Sequence, residues 1–389
     1  MTLPTTAEVV VIGGGVMGTS IAYHLAASGV HGVVLLEMGR LGSGSSAKPL
    51  GGVRATFSDP GNIALGQRSL EAYERFEQTF GVDIGLRQVG YLFLARSDAE
   101  LDQLERSTAV QQSLGGSSRM VTPADAAVIN PLLDPTVLVG ASFSPRDGYA
   151  APAPVVLAYA AAAEARGATV VEQVEVLDVE VDGGAIRSVE TDRGSIATGA
   201  VVCAAGAWSA RIGEMVGIAL PVQPVRRQIG FTPQGAPAFP TVPFTLDLGT
   251  TLYFHNYAFE GGRRGMLLGI SNLDQEPGFT RDFDHQWVPA FDEAARVVAP
   301  TLVGRALEGG WAGLYENTPD HNAIIGVSEG LHGFFYATGF SGHGFLQGPA
   351  VGEAVCALYH GHDPVVDVSS FDVRRFGVEA GRLSEVHII

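Results

Sequence analysis

Three glycines near the start of the chain have the spacing of a phosphate-binding turn. They are Gly13, Gly15 and Gly18, and Glu37 follows nineteen residues after Gly18. In such a motif the first glycine permits a tight turn, the second lets the backbone approach a pyrophosphate, and the third allows close helix packing. A carboxylate at the position of Glu37 accepts hydrogen bonds from a ribose diol and disfavours a 2′-phosphate. The pattern therefore predicts a site for FAD or NAD rather than NADP.

The elements that must position this turn lie directly on either side of it. Residues 7–13 are a β-branched apolar run, and apolar residues recur at helical spacing from Val16 until Gly29. A second apolar run at 33–36 leads into Glu37. This order predicts a βαβ unit in which the helix start presents free N–H groups and a positive dipole end to phosphates.

The length of the chain suggests two domains or one large domain with an insertion. The chain has 389 residues, 46% of them hydrophobic, and a formal charge of −17. Such a charge repels nucleic acid and acidic membrane surfaces, so neither is expected as a partner. Two cysteines cannot build a disulfide framework, and no His/Cys cluster has metal-ligand spacing, so no metal is expected. The polar N-terminal segment lacks the features of a targeting signal, which predicts a cytoplasmic location.

The rest of the chain alternates helices and strands and changes character after residue 221. A glycine- and serine-rich loop at 42–52 follows the ribose acid and favours contact with the cofactor, although a surface loop has the same composition. Helices are predicted at residues 63–80, 97–114, 155–166 and 348–359. Strands are predicted at residues 86–95, 169–172, 174–181, 185–190, 194–203, 225–232, 251–255 and 265–270. The last three strands, with prolines between them, indicate a β-rich substrate domain.

Four further segments carry a resemblance to a known family. They are VVCAAGAWS at 201–209, LPVQPVRRQIG at 220–230, WAGLYENTPDHNAIIG at 311–326 and ATGFSGHGFLQGP at 337–349. With the glycine turn, they make the chain resemble the D-amino-acid oxidase superfamily of FAD enzymes. Within it, the chain is similar to the group of glycine oxidase, sarcosine oxidase and dimethylglycine dehydrogenase. The resemblance spans nearly the whole length and favours FAD over NAD.

The resemblance implies an α/β (α+β) fold in two parts. A discontinuous, Rossmann-like FAD-binding domain would comprise residues 1–85, 145–220 and 310–389. An antiparallel β-sheet substrate domain above the flavin would comprise residues 86–144 and 221–309.

The residues implied to contact FAD come from both ends of the chain. The glycine turn would hold the pyrophosphate, the loop near Ser45 and Ser46 the diphosphate or ribityl region, and the Val174 backbone the adenine. The glycines around His343 would lie against the flavin pyrimidine edge, where the following helix start stabilises negative charge. The implied set is Gly13, Gly15, Val16, Met17, Gly18, Glu37, Met38, Ser45, Ser46, Lys48, Val174, Ala205, Gly206, Trp208, Gly313, Gly339, Gly342, His343, Gly344, Phe345 and Leu346.

The residues implied to act on the substrate are Arg54, Tyr253, Tyr315, His343 and Lys48. Arg54 stands where sarcosine oxidases keep an arginine for the substrate carboxylate, whose two oxygens match the planar guanidinium. The alternative for Arg54 is an ordinary surface arginine. Tyr253 and Tyr315 would be further contacts over the flavin. His343 would either take part in proton transfer or simply pack or cap a turn.

Departures from the family pattern affect the expected chemistry. Gly313 stands where some sarcosine oxidases attach flavin through a cysteine, and Lys48 where dimethylglycine dehydrogenase-like members use a histidine, so FAD is expected to be non-covalent. Glycine oxidases have a carboxylate-binding arginine at the place of Tyr315. The segment 265–269 lacks the lysine with which sarcosine oxidases activate oxygen, and Lys48 could supply a substitute cation.

The expected reaction is FAD-dependent oxidation of the CH–NH bond of glycine or an N-substituted amino acid. Hydride passes to flavin N5, the imine hydrolyses, and O2 reoxidises the flavin with release of peroxide. One alternative is a dehydrogenase of the same fold that passes electrons to a carrier protein or quinone. Another is a non-catalytic flavoprotein that serves as a binding module. The expected partners are a small amino-acid or N-alkylglycine substrate and O2, and a homo-oligomer is left open.

Overall fold

Two large β-sheets organise the chain. The computed structural model describes residues 3–48, 50–232, 239–258, 264–305, 309–377 and 384–386. No helix among these residues is long and apolar enough to cross a lipid bilayer.

The first sheet has six strands and begins with the apolar run at the start of the chain. Its members are β1 (Val9–Ile12), β2 (Val33–Glu37), β8 (Thr169–Glu172), β12 (Val201–Cys203), β18 (Ile324–Val327) and β19 (Phe334–Thr338). The spatial order is β18-β19-β12-β1-β2-β8, and every neighbouring pair is parallel except β18 with β19. Because the five parallel strands point the same way, their carboxyl ends share one edge of the sheet.

Both faces of this sheet are covered, which explains why β1 is apolar at every position. On one face lie α1 (Val16–Ala27), α6 (Pro152–Glu164) and α9 (Gly344–Tyr359). On the other lie α7 (Ser209–Met215) and a three-stranded sheet of β9 (Val176–Asp182), β10 (Ala185–Thr191) and β11 (Gly194–Ala197).

Helix α9 begins at Gly344, four residues before the predicted start at residue 348. A proline lacks the N–H that an interior helix position donates, so Pro349 is not expected beyond the first turn of a helix. In the structure Pro349 lies inside the helix, and the carbonyl of Phe345, four residues earlier, accepts a hydrogen bond from the Tyr73 hydroxyl instead. A partner from another helix thus replaces the missing backbone bond.

The second sheet has eight strands drawn from the middle of the chain. They are β4 (Tyr91–Ala95), β5 (Arg119–Val121), β6 (Gly140–Ser144), β13 (Gln223–Phe231), β14 (Phe244–Asp247), β15 (Leu252–Ala258), β16 (Arg264–Ile270) and β17 (Gly309–Asn317). The order is β17-β13-β16-β15-β14-β4-β6-β5, antiparallel throughout except for the parallel pair β14 and β4. One face packs on α5 (Pro123–Ile129) and α8 (Val288–Val298). The other face presents Tyr91, Phe244 and Tyr253.

Several predicted elements have different limits in the structure. The helix predicted at 63–80 is two helices, α2 (Pro60–Glu74) and α3 (Phe76–Phe80), because Arg75 leaves helical geometry. The strand predicted at 194–203 is β11 and β12, which belong to different sheets. The strand predicted at 86–95 starts only at Tyr91, after a left-handed Gly90.

Other elements agree with the sequence or add to it. Helix α4 (Asp98–Ser113) lies inside the predicted range 97–114 and starts at a capping box formed by Ser97 and Glu100. A small two-stranded sheet joins β3 (Gly52–Val53) to β7 (Gly148–Tyr149). Strands β6 and β14 and helix α8 were not predicted. The two-domain division stays a prediction. Most of β17 lies beyond the predicted domain boundary at residue 309, yet this strand pairs with the eight-stranded sheet.

Candidate active site

A cavity of about 470 Å³ opens where the parallel strands end and the eight-stranded sheet begins. Each parallel strand leads to it: β1 to Gly13, β2 to Glu37, β8 to Val174, β12 to Ala205 and β19 to Gly342. The carboxyl edge of a parallel sheet is where ligands of α/β proteins bind. Tyr91, Phe244 and Tyr253 form the opposite, apolar wall.

Nearly all of the predicted site residues line this cavity. They are Gly13, Gly15, Val16, Met17, Glu37, Met38, Ser45, Ser46, Lys48, Arg54, Val174, Ala205, Gly206, Trp208, Tyr253, Gly313, Tyr315, Gly342, His343, Gly344, Phe345 and Leu346. Gly18 and Gly339 are not among the residues that line the cavity. A methyl group on Gly339 would lie 2.4 Å from Cγ2 of Thr318, so this glycine makes room for a neighbouring side chain.

The glycine turn has the geometry that its sequence predicts. Gly13 has φ +115°, and a Cβ there would lie 2.3 Å from the carbonyl oxygen of Ala204. A Cβ at Gly18 would lie 1.8 Å from the Gly13 carbonyl oxygen, so α1 packs directly on the turn. Gly15 differs, because its Cβ would meet only Oγ of Ser46, at 3.2 Å. The backbone at Gly15 is therefore open to a ligand, as a pyrophosphate requires.

Two side chains hold the turn in place from the cofactor side. Oγ of Ser46 accepts the N–H of Val16 at 3.0 Å, at the start of α1. The two oxygens of Glu37 accept the N–H groups of Gly14 and Gly39, each at 2.7 Å. Each carboxylate oxygen has a second lone pair, so Glu37 can still accept from a ribose diol.

Only one of the two backbone groups of Val174 is available for the predicted contact with adenine. The N–H of Val174 donates to the carbonyl of Glu37 at 3.0 Å, which joins the end of β8 to the end of β2. The Val174 carbonyl therefore remains as the backbone group for an adenine amino group. Nearby, the Arg211 guanidinium is paired with Glu175 at 3.0 Å, and Arg281 lies 5.8 Å from the Trp208 ring.

The C-terminal glycine turn lies beside Tyr315. Gly342 has φ +94°, and a Cβ there would lie 2.4 Å from the Tyr315 ring. His343 follows as the residue before the first turn of α9 and is 6% exposed. A turn and a helix start therefore face the cavity together, as the resemblance implies for the flavin pyrimidine edge.

Glu316 lies on β17 beside this turn and was not predicted as a site residue. Its Oε2 accepts the N–H of Gly339 at 3.1 Å and the hydroxyl of Thr338 at 3.2 Å. It lines the cavity beside Gly206, and burial raises the pKa of its carboxyl to about 7 against the opposing effect of these hydrogen bonds. Glu316 belongs to the segment 311–326 that carries the family resemblance, but only the folded chain shows that its side chain faces the cavity.

Arg54 is buried, so its interpretation as a surface arginine is wrong. It is 5% exposed, and its guanidinium carbon lies 4.1 Å from the centre of the Phe57 ring. Nη1 donates to the Thr56 carbonyl, and Nη2 lies 3.2 Å from Nε2 of His343. Because arginine only donates hydrogen bonds, Nε2 of His343 is the acceptor and carries no proton in this arrangement. His343 is thereby placed to orient Arg54.

Asp147 lies behind Arg54 and was also missed from the sequence. It is 1% exposed and accepts the N–H of Ala55 at 3.2 Å and the Thr56 hydroxyl at 3.1 Å. Burial raises the pKa of this carboxyl to about 6, although the hydrogen bonds and the Arg54 charge act in the other direction. In the sequence Asp147 resembles a turn residue, because the residues around it are proline, arginine and glycine.

The pH dependence of stability should report this burial. The Asp147 carboxyl ordinarily has a pKa of 3.8, so in the folded chain it keeps its proton to a higher pH than in the unfolded chain. The protonated Asp147 carboxyl therefore contributes its full stabilisation below pH 3.8, and this contribution is lost as pH rises through about 6. Relative to Asp147→Asn, we expect the wild-type free energy of unfolding to fall by about 2–3 kcal/mol across this window. Urea unfolding at several pH values measures it. An exposed control is Asp102→Asn, and parallel wild-type and Asp147→Asn curves would contradict the assignment.

The two predicted tyrosines and Lys48 also line the cavity. The Tyr253 hydroxyl donates to the Gln228 carbonyl at 3.2 Å. Burial raises the pKa of both Tyr253 and Tyr315, so both hydroxyls are neutral near pH 7. A Cβ at Gly313 would lie 2.7 Å from Cβ of Lys48, so a larger residue at 313 would displace the lysine. Among the residues that the structure describes, no group of three or more His, Cys, Asp or Glu could hold a metal ion.

The fold and the cavity together have the form of a dinucleotide-binding protein with a second sheet over its site. A family model described as FAD dependent oxidoreductase (DAO) matches residues 8–358, and the chain belongs to this family. The prediction of FAD as the cofactor is thereby confirmed, and the open backbone at Gly15 and the position of Glu37 fit this group.

Known relatives differ in length and in named activity. Sarcosine dehydrogenase of Mus musculus is 31% identical over 392 residues, which cover 96% of this chain but 42% of that protein. The chain thus spans less than half the length of that relative. Glycine oxidase of Geobacillus kaustophilus is 30% identical over 375 residues, covering 95% of this chain and 97% of that protein.

Solved structures confirm the predicted fold class. The crystal structure of L-proline dehydrogenase from P. horikoshii superposes with a TM-score of 0.90 at 33% identity, covering 98% of this chain and 100% of that one.

Proposed function

We propose that the protein oxidises the CH–NH bond of a small amino acid or N-substituted amino acid, with Arg54 as the carboxylate anchor. The observation that carries this proposal is a buried guanidinium in an FAD cavity whose other wall is aromatic. A planar cation held by Thr56 and His343 needs little reorganisation to bind a carboxylate. The named activities of the relatives, which concern sarcosine, glycine and proline, support the same substrate class.

The chain's own residues would bind and orient the substrate. Arg54 fixes the carboxylate, and the wall of Tyr91, Phe244 and Tyr253 excludes water around the α-carbon. No side-chain base is required, because the substrate amine need only be neutral. When bound, FAD supplies the two-electron acceptor for the oxidation.

A panel of amino acids tests the substrate class. Glycine, sarcosine, longer N-alkylglycines, proline and D-alanine would each be added to the FAD-loaded protein without oxygen. We expect at least one to bleach the flavin and to yield the corresponding imine or its hydrolysis product. If no amino acid of the panel removes the yellow absorbance, although a chemical reductant does, the proposal is overturned.

The electron acceptor has two candidates. The segment 265–269 carries no lysine, and the relatives include named dehydrogenases as well as an oxidase. Lys48 lines the cavity and would be the cation for oxygen activation in the oxidase case. After anaerobic reduction, exposure to air separates the two: rapid reoxidation with peroxide supports the oxidase, and slow reoxidation without peroxide supports transfer to a carrier or quinone. A cytoplasmic location and a homo-oligomer remain predictions.

Non-covalent attachment of FAD is a separate prediction. Gly313 offers no nucleophile where the resemblance places one, and Lys48 lies against it. We expect acid precipitation to leave the yellow colour in the supernatant. Colour that stays with the washed pellet would contradict the prediction, whatever the substrate proves to be.

A further inference from the structure

A second arginine faces the substrate side of the cavity. Arg227 lies on β13 opposite Gly313 of β17, and its guanidinium carbon is 5.4 Å from the centre of the Tyr315 ring. Arg227 and Arg54 both line the cavity, and both oppose the effect of burial on the pKa of Tyr315. Tyr315 therefore lies within reach of two separate cations.

The bonds of Arg227 leave much of its guanidinium free for a ligand. Nη1 donates to the carbonyls of Arg226 and Asn272 at 3.2 and 3.4 Å. Nε is buried and has no hydrogen-bond partner among the described residues. None of the ion pairs among the described residues involves Arg227. The Arg227 side chain is half-buried and its Nε is shielded from water, so a bound anion would supply the hydrogen-bond acceptor and the counter-charge that the chain does not.

The neighbouring arginine shows the contrast. Arg226 points to the opposite face of the strand, because side chains alternate along it. It is paired with Asp284 at 3.9 Å and also donates to the Gln275 side chain at 3.2 Å and the Asp282 carbonyl at 3.1 Å. Arg226 is therefore satisfied by the chain itself, whereas Arg227 is turned toward the cavity.

We propose that Arg227 forms a second anion subsite that binds a further carboxylate of the substrate. The proposal rests on the proposed function, in which Arg54 holds the α-carboxylate. The preferred substrates would then be amino acids with two acidic groups, such as an N-carboxymethyl amino acid. A planar guanidinium suits a carboxylate because it donates two parallel hydrogen bonds.

A pair of non-oxidisable acids tests the subsite without turnover. Thiodiacetate carries two carboxylates around a sulfur atom, and (methylthio)acetate carries one. Calorimetric titration of the FAD-loaded protein should give thiodiacetate the lower dissociation constant, by on the order of tenfold or more. Equal affinity, or preference for the monoacid, would overturn the subsite even if amino acids are oxidised.

Substitutions locate the effect. Arg227→Gln should remove the preference for thiodiacetate and leave (methylthio)acetate within about twofold, since only the second carboxylate loses its partner. Arg227→Lys should keep part of the preference, because the charge remains without the planar fork. Arg226→Gln is the matched control and should bind as wild type. An equal loss for both acids in Arg227→Gln would show that Arg227 holds the α-carboxylate or supports the fold, and would contradict the proposal.

Discussion

Replacing Arg54 with glutamine is expected to raise the KM for the amino-acid substrate and to lower kcat/KM by about 100-fold or more. The change removes a buried charge-assisted pair with the substrate carboxylate, which corresponds to about 3 kcal/mol. Arg54→Lys should recover only part of the loss, because a lysine cannot donate two parallel bonds. Steady-state kinetics on the best substrate of the panel measures both variants.

Two controls separate anchoring from folding in this experiment. Arg68→Gln removes an arginine that pairs with Glu353 between α2 and α9, outside the cavity, and should leave KM unchanged. FAD content and melting temperature should stay close to wild type in all variants compared. If the KM of Arg54→Gln equals that of the wild type, Arg54 does not bind the substrate carboxylate.

Replacing Gly15 with alanine is expected to weaken FAD binding by at least about tenfold, which corresponds to ~1.4 kcal/mol. The added methyl group would lie 3.2 Å from Oγ of Ser46 and would point into the space predicted for the pyrophosphate. The residue has φ −78°, which an alanine adopts readily, so the apoprotein should fold normally. Titration of apoprotein with FAD, followed by flavin fluorescence, measures the change.

Gly199→Ala is the matched control for the cofactor. Gly199 lies outside the cavity, and a Cβ there would have no heavy atom within 4 Å. The FAD affinity of Gly199→Ala should equal that of the wild type. An unchanged FAD affinity in Gly15→Ala would show that the pyrophosphate does not approach this turn.

The parts of the site that the sequence predicts well are set by local spacing. Gly13, Gly15 and Gly18 act within one turn, and their roles follow from what a Cβ would meet there. Glu37 is fixed by the length of the intervening helix and strand. The C-terminal turn around Gly342 was predicted through resemblance alone, since nothing local relates it to the first turn more than 300 residues earlier.

The residues that were missed depend on contacts between distant segments. Asp147 is defined by its bonds to Ala55 and Thr56, and Glu316 by its bonds to the loop after β19. Arg226 and Arg227 are identical in type and adjacent, so only the pairing of β13 with β17 shows which one faces the cavity.

The same reason explains the errors in the secondary structure. Residues 194–203 form one apolar-rich run, but β11 and β12 find partners in different sheets. Helix α8 is a different case, because its buried residues Phe291, Ala294, Ala295 and Val298 have helical spacing, so local periodicity was sufficient to predict it.

The most direct test of amino-acid oxidation is an anaerobic titration of the FAD-loaded protein with its best amino-acid substrate. If the protein oxidises the CH–NH bond, about one equivalent of substrate should bleach one equivalent of flavin and yield an equal amount of imine-derived product, since each oxidation transfers two electrons. Flavin that stays fully oxidised with every amino acid tested, although dithionite reduces it, would contradict the account and indicate a non-catalytic flavoprotein.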